Sequence, residues 1–194
     1  MISDAAPART LEVSLPPWVD DLVRWGDPLE SAEARMRLVI ALSRENVVRR
    51  SGGPFAAAVF ERDSGLPVAV GLNGVERHNN AVLHGEIMAI MFAQQRIGSF
   101  TLGGSGAPQR ELVSSCEPCA MCLGATLWSG VHRLTFAATR EDATALSFDE
   151  GPVFPESYEY LERRGIRIER GVLRAEAAEV LALYRDGGGL IYNR

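Results

Sequence analysis

Cysteine occurs at only three positions in this chain, and all three lie within SSCEPCAMCLGA, residues 114–125, as Cys116, Cys119 and Cys122. Two Cys-x-x-Cys pairs overlap there, and they suit different chemistries. A strand, a Cys-x-Pro-Cys turn and a helix suit a thiol redox site, because a helix N-terminus lowers the pKa of a thiol placed on it. The second pair suits a metal. With Pro118 in the first helical turn, where its missing N–H leaves no bond unmade, Cys119 and Cys122 fall three residues apart on one helix face. Cys116 precedes the proline and reads as a turn or packing residue. A catalytic zinc takes three protein ligands and keeps a fourth position for water, so one further donor is required. The histidines are His78, His84 and His132. His78 sits in the polar ERHNN and His132 at a strand start, whereas His84 heads an apolar helical segment and is followed by Gly85 and Glu86. An imidazole and a carboxylate thus stand together at the start of a core element, and His84 is the expected third donor. A closed four-ligand structural zinc site that includes Cys116 is the non-enzymatic alternative, and it leaves Glu86 without a purpose.

The elements that must hold these residues can be read along the chain. SAEARMRLVIALSRENVVRR, 31–50, mixes apolar and charged residues at helical spacing and ends at SGGP. PFAAAVFERDSGLPVAVGLN reads as a β-hairpin with a longer loop around Asp63-Ser64-Gly65. HGEIMAIMFAQQRIG is apolar almost all round from Ile87 to Ala93, which predicts a buried helix. RELVSSC reads as a strand, CEPCAMCLGATLWSG as a second largely apolar helix, and VHRLTFAATR as a strand. A short helix, an aromatic loop at GPVFPESYEY, a strand at GIRIERGV and an amphipathic helix at RAEAAEVLALYR complete the pattern. Strands alternating with helices predict an α/β sheet covered on both faces. The division expected is an N-terminal arm, 1–28, docking through Trp18 and Trp25; one domain, 29–186; and a tail, 187–194, in which the glycines 187–189 precede the apolar LIYNR.

Composition narrows the function classes. With 194 residues and 46% hydrophobic content the chain can build a sizeable core. Three cysteines so close in sequence make no secreted disulfide framework, the first residues carry no basic start followed by an apolar run, and no apolar run approaches membrane-spanning length. A cytoplasmic protein with no membrane partner is expected. The net charge is −5 and the basic residues, all arginine, are scattered, so no basic face for a nucleic acid is expected.

His84-Gly85-Glu86 followed by Pro118-Cys119-Ala120-Met121-Cys122 resembles the signature of the zinc-dependent nucleobase deaminases of the cytidine deaminase fold. The resemblance covers roughly residues 52–152, and GGPFAAAVFERDSG, Asn73 in GLNG, CEPCAMCLGATLWSGV and AATREDATALSFDEGP are most similar to bacterial guanine deaminases. It implies a three-layer α/β/α sandwich with a central mixed sheet of about five strands. It also implies Zn2+ held by His84, Cys119 and Cys122, with Glu86 as proton shuttle. Asn73 would bind the base, and Glu150, or Asp149 beside it, would bind the purine and move protons. The amide of Gly85 would meet an exocyclic oxygen. For Asn73 the ordinary reading is a turn residue beside Gly74, and for Asp149 and Glu150 a solvated acidic pair. Gly85 stands where most of that branch has alanine, as in fungal cytosine deaminases, so cytosine, pterins and aminotriazines are the alternative substrates to guanine. The tRNA-editing adenosine deaminases share Glu117-Pro118-Cys119 but must grip a polyanion, for which this acidic chain is unsuited. A free heterocyclic base needs a closed pocket. Phe55, Trp128, the aromatics from Phe154 to Tyr160 and the tail from Leu190 to Tyr192 are its candidate walls, although each taken singly is an ordinary core position. The resemblance further implies a homodimer, with the tail as a lid over an active site.

Overall fold

Alternation along the strands generates two cores, one on each face of a sheet. In β1 (Ala56–Glu61) the side chains of Ala56, Ala58 and Phe60 join one core while Ala57 and Val59 join the other, as the period of two requires. The computed structural model describes residues 9–193. β1 pairs antiparallel with β2 (Pro67–Leu72) through the expected hairpin, and antiparallel with β3 (Arg110–Cys116) on its other side. β4 (Arg133–Ala138) and β5 (Arg167–Arg170) continue in parallel from β3, giving one five-stranded mixed sheet in the order β2-β1-β3-β4-β5.

Helix α1 (Val19–Leu22), helix α2 (Ala32–Val48) and the later helix α8 (Arg174–Asp186) cover one face, with Met36, Val39 and Leu42 of α2 packed beside Val180 and Leu181 of α8. Trp18 and Trp25 lie partly buried on the same core, and Arg77 holds the carbonyl of Ser14, so residues 14–25 run docked along this face. After a short α3 (Val75–His78), the opposite face carries α4 (Gly85–Ile97) and α5 (Ala120–Ser129), then, beyond α6 (Arg140–Thr144), α7 (Pro155–Arg163).

Three local features differ from the sequence reading. The aromatic segment expected as a loop forms α7: Pro155 takes the first helical position, the Ser157 hydroxyl accepts the Phe154 N–H, and Tyr158 and Leu161, three apart, bury on the sheet. His78 belongs to a short helix rather than a loop. Pro118 stands just outside α5, because Cys119 keeps an extended backbone (φ −64°, ψ 172°) and only its carbonyl joins the helix, accepting the Leu123 N–H.

Helix α4 lies against the backbone of the hairpin itself. A Cβ at Gly71 of β2 would strike the Gly85 carbonyl oxygen and the Ala89 nitrogen of α4, and neither backbone atom can swing aside. Gly71→Ala should therefore lower stability by about 1–3 kcal/mol, the usual range for overpacking a dense core, as read from the urea midpoint at unchanged slope.

Candidate active site

Both donor-bearing helices open on a donor. His84 is the extended residue immediately before α4 and Cys119 the extended residue immediately before α5, while Cys122 lies in the first turn of α5. Because α4 sits on β1 and β2, and α5 follows β3 next door, these two helix starts meet. The His84 Nδ1 is 3.5 Å from the Cys119 Sγ and 3.6 Å from the Cys122 Sγ. Among the described residues this is the only group of three or more potential donors whose ligand atoms all lie within 4.8 Å of one another. Cys116 is buried in the same wall but its thiol points to the Thr139 carbonyl, 3.7 Å away.

The electrostatics of the cluster suit a cation. Hydrogen bonding from Cys122, helped by His84 and opposed by burial, brings the Cys119 thiol down to about 4, so it is a thiolate at neutral pH. Burial alone would lower the His84 pKa, but the bond and charge of Cys119 and the nearby Glu86 and Glu150 outweigh it and raise it. The Cys122 thiol is pushed well above its ordinary value, first by its bond to Cys119 and then by burial; its proton is the one a metal ion has to displace. A soft thiolate pair with one imidazole is a donor set that fits zinc.

Glu86 lies in the first turn of α4 and is buried, its carboxyl pushed up by desolvation and by the charge of Cys119. The Ser114 hydroxyl of β3, at 3.1 Å, donates to its Oε1. Glu150 is also buried, in the wall of the same cavity, and burial followed by the charges of Cys119 and Glu86 pushes it up to about 8. Asp149 does not share that position: its Oδ1 accepts the Gly151 N–H at 2.8 Å on the exposed side of the loop. Asn73 is fully buried just beyond β2; its Nδ2 donates to the Tyr192 hydroxyl at 2.7 Å, and its Oδ1 accepts the Val75 N–H at 3.4 Å in a turn-like contact. Gly85 abuts β1: a Cβ there would lie 3.1 Å from the Ala56 Cα, tighter than an ordinary contact.

Of the aromatic candidates, Phe55 and Tyr192 line the cavity. Trp128 does not. It is 79% exposed on the outward side of α5, a helix whose run of apolar residues extends past the face it can bury. Phe154 and Tyr160 also face solvent, while Tyr158 packs on Phe136. The tail crosses the site of its own chain. The Tyr192 ring lies 6.3 Å from that of His84 and 5.2 Å from that of Phe148, and Asp149 and Asn193 exchange two hydrogen bonds of 2.8 Å. The space left between tail and cluster is about 20 Å³, enough for a water. A larger, open cleft of about 520 Å³ lies on the far side of Glu117, walled by Arg140, Tyr158 and Arg170, and does not contain the donor cluster. Ser114 and Asn193, whose buried Oδ1 has no partner, were not singled out from the sequence; a serine in a strand and an asparagine in a tail carry no spacing signal.

A mixed sheet that brings a histidine and two cysteines together beside a buried carboxylate, all from helix starts, defines a deaminase fold, and the sequence agrees. The chain belongs to the family described as "Cytidine and deoxycytidylate deaminase zinc-binding region", which matches residues 29–138. Among individual relatives, it is 33% identical over 134 residues to the guanine deaminase of Bacillus subtilis, covering 69% of this chain and 81% of that protein. It also superposes on the structure of a guanine deaminase from Nitrosomonas europaea with a TM-score of 0.88 and 42% identity, over 94% of this chain and all of that one. A structure of NE0047 in complex with 2,6-diaminopurine is similar as well, at a TM-score of 0.87 and 44% identity over 95% of this chain and 97% of that one.

The donor geometry predicts that Cys119→Ser and Cys122→Ser each lose most of the bound metal while Cys116→Ser keeps it, measured as metal per chain by atomic emission after purification. Loss from the Cys116 variant would make the site a four-ligand one.

Proposed function

We propose that this protein is a zinc-dependent aminohydrolase that converts guanine to xanthine and ammonia. The observation that carries the reading is that two buried carboxylates, Glu86 and Glu150, face one His-Cys-Cys cluster in a cavity roofed by aromatic rings. It is supported by the likeness to guanine deaminases, over 94% of the chain for one and 69% for another.

His84, Cys119 and Cys122 would hold the zinc, which when bound lowers the pKa of a water in its open position and so supplies the nucleophile. Glu86 is not a donor to the metal. Its desolvated carboxylate takes one proton from the attacking water and hands it to the ring nitrogen next to carbon 2. It then takes the second proton, from the hydroxyl now on carbon 2, and passes it to the amine, which leaves as ammonia as the carbon–oxygen double bond of xanthine forms. Ser114 holds one oxygen of Glu86 and so fixes how the carboxylate faces the cluster. The Asn73 amide and the Gly85 N–H orient the base, Phe55 and Tyr192 enclose it, and Glu150 grips the purine edge and relays a proton. Residues 187–193 act as a lid that excludes water once the base is bound; of the expected arm over 1–28, residues 1–8 lie outside the described residues while residues 14–25 are docked, and 29–186 form the catalytic domain. The reading includes a homodimer, and three free thiols suit the cytoplasm; no helix among the described residues is long and apolar enough to cross a membrane.

Two measurements test this. Purified zinc-loaded protein offered guanine, cytosine, adenine, a pterin, an aminotriazine and the matching nucleosides should release ammonia fastest from guanine; preference for cytosine or a pterin would reject the substrate and point to Gly85. Glu86→Gln should retain zinc and bind base yet lose activity by ~100-fold to 10,000-fold or more, whereas Glu150→Gln should lose activity partially and change the ranking of bases. A Glu150→Gln enzyme with wild-type rate and ranking would return Glu150 to the status of a buried bystander.

A further inference from the structure

The loop that carries Glu150 has no regular structure of its own, yet a single side chain spans it. Arg140, the first residue of α6, donates from Nη2 to the Gly151 carbonyl at 2.7 Å and from Nη1 to the Val153 carbonyl at 2.6 Å. The planar fork thus holds two carbonyls that flank the turn right after Glu150, where Gly151 has a positive φ of 68°. Arg140 is itself held: its backbone N–H donates to Glu117 Oε2 at 3.0 Å, and the Tyr158 hydroxyl donates to Glu117 Oε1 at 2.6 Å. Glu117 stands between Cys116 and the Pro-Cys turn, so its carboxylate ties the metal-side turn to the clamp. The loop closes back on the same turn, since the Ala120 N–H, at the start of α5, donates to the Glu150 carbonyl at 2.9 Å. None of these bonds involves the tail, which is hydrogen-bonded to the loop at Asp149 and packs Tyr192 on Phe148.

From this geometry we infer that Arg140, anchored by Glu117, is the positioning residue that fixes the Glu150 carboxylate relative to the donor cluster, independently of the tail. Arg140 is not among the donor residues; it acts through the backbone that directly follows Glu150. The inference rests on the role given above to Glu150. Lysine at this position keeps the charge but is a single point donor and cannot hold two carbonyls in fixed relation. Displacing a working group by about 1 Å costs up to roughly 100-fold in rate.

The test uses the full-length, zinc-loaded protein. Arg140→Lys should keep its metal and lower kcat/KM for guanine by roughly ten- to a hundredfold. It should also speed hydrogen exchange at the Ala120 amide, whose acceptor is the carbonyl of Glu150. Added to Glu150→Gln it should cause almost no further loss, because groups acting through one another are not additive. Should Arg140→Lys fail to fold, Tyr158→Phe, which removes one bond to Glu117 at nearly constant volume, should give the same pattern more weakly. Unchanged exchange at Ala120, or losses that multiply in the double variant, would overturn the proposal. A fully active Glu150→Gln enzyme would instead remove the reading of Glu150, and with it any catalytic purpose for the clamp, while the Ala120 exchange would still report whether Arg140 holds the loop.

Discussion

How closely helix α4 can lie on the β1–β2 hairpin decides the rest of the site. The helix meets backbone, not side chains: Gly71 leaves room for the carbonyl of Gly85 and the nitrogen of Ala89, and Gly85 itself rests against Ala56 and Ala57. A helix seated on side chains would stand farther from the sheet, and His84 and Glu86, in its first residues, would rise with it away from Cys119 and Cys122. The cysteines start from the neighbouring strand β3, which β1 pairs in fixed register. The spacing between imidazole and thiols is thus set by sheet pairing on one side and by two glycines on the other.

The far end of the sheet is tied by charge. Glu111 of β3 is buried with Arg35 of α2 at 2.5 Å and Arg133 of β4 at 2.6 Å, and Arg133 continues to Glu169 of β5 at 3.3 Å. A buried carboxylate between two guanidiniums is tolerable because each charge is met, and misregistering β3 against β4 would strand one of them. Since β3 and β4 are parallel, their register at this end is also their register at the other, where Cys116 faces Ala138 and the Glu117 N–H meets the Ala138 carbonyl.

Much of this could be read in the sequence. The hairpin, the helices at 32–48 and 85–97 and a sheet covered on both faces follow from periodicity and turn residues, the mixed order of its strands from the family resemblance, and His84, Cys119 and Cys122 stand out because metal chemistry admits few residue types at few spacings. What escaped was settled by partners distant in the chain. Helix α7 was obscured because its opening proline and aromatics look like a loop until the surface that buries Tyr158 and Leu161 is known. Trp128 looked like a pocket wall because an all-round apolar helix does not announce which residue faces out. The bond between Asn73 and Tyr192 joins residues 119 positions apart, and Arg140 has backbone carbonyls as partners, which leave no trace in residue identity. That Glu150 and not Asp149 lines the cavity likewise depends on which way the turn faces.

The roof over the cluster has a consequence for affinity. With Tyr192 bonded to Asn73 and about 20 Å³ beneath it, the tail-down arrangement has room for a solvent molecule and none for an aromatic bicycle. If the tail acts as the proposed lid, a ligand of that size would meet only the fraction of molecules in which the tail is raised, and its apparent dissociation constant would be the intrinsic one divided by that fraction. Weak binding to this protein would therefore report on the bond between a tyrosine and an asparagine as much as on the fit of the ligand itself.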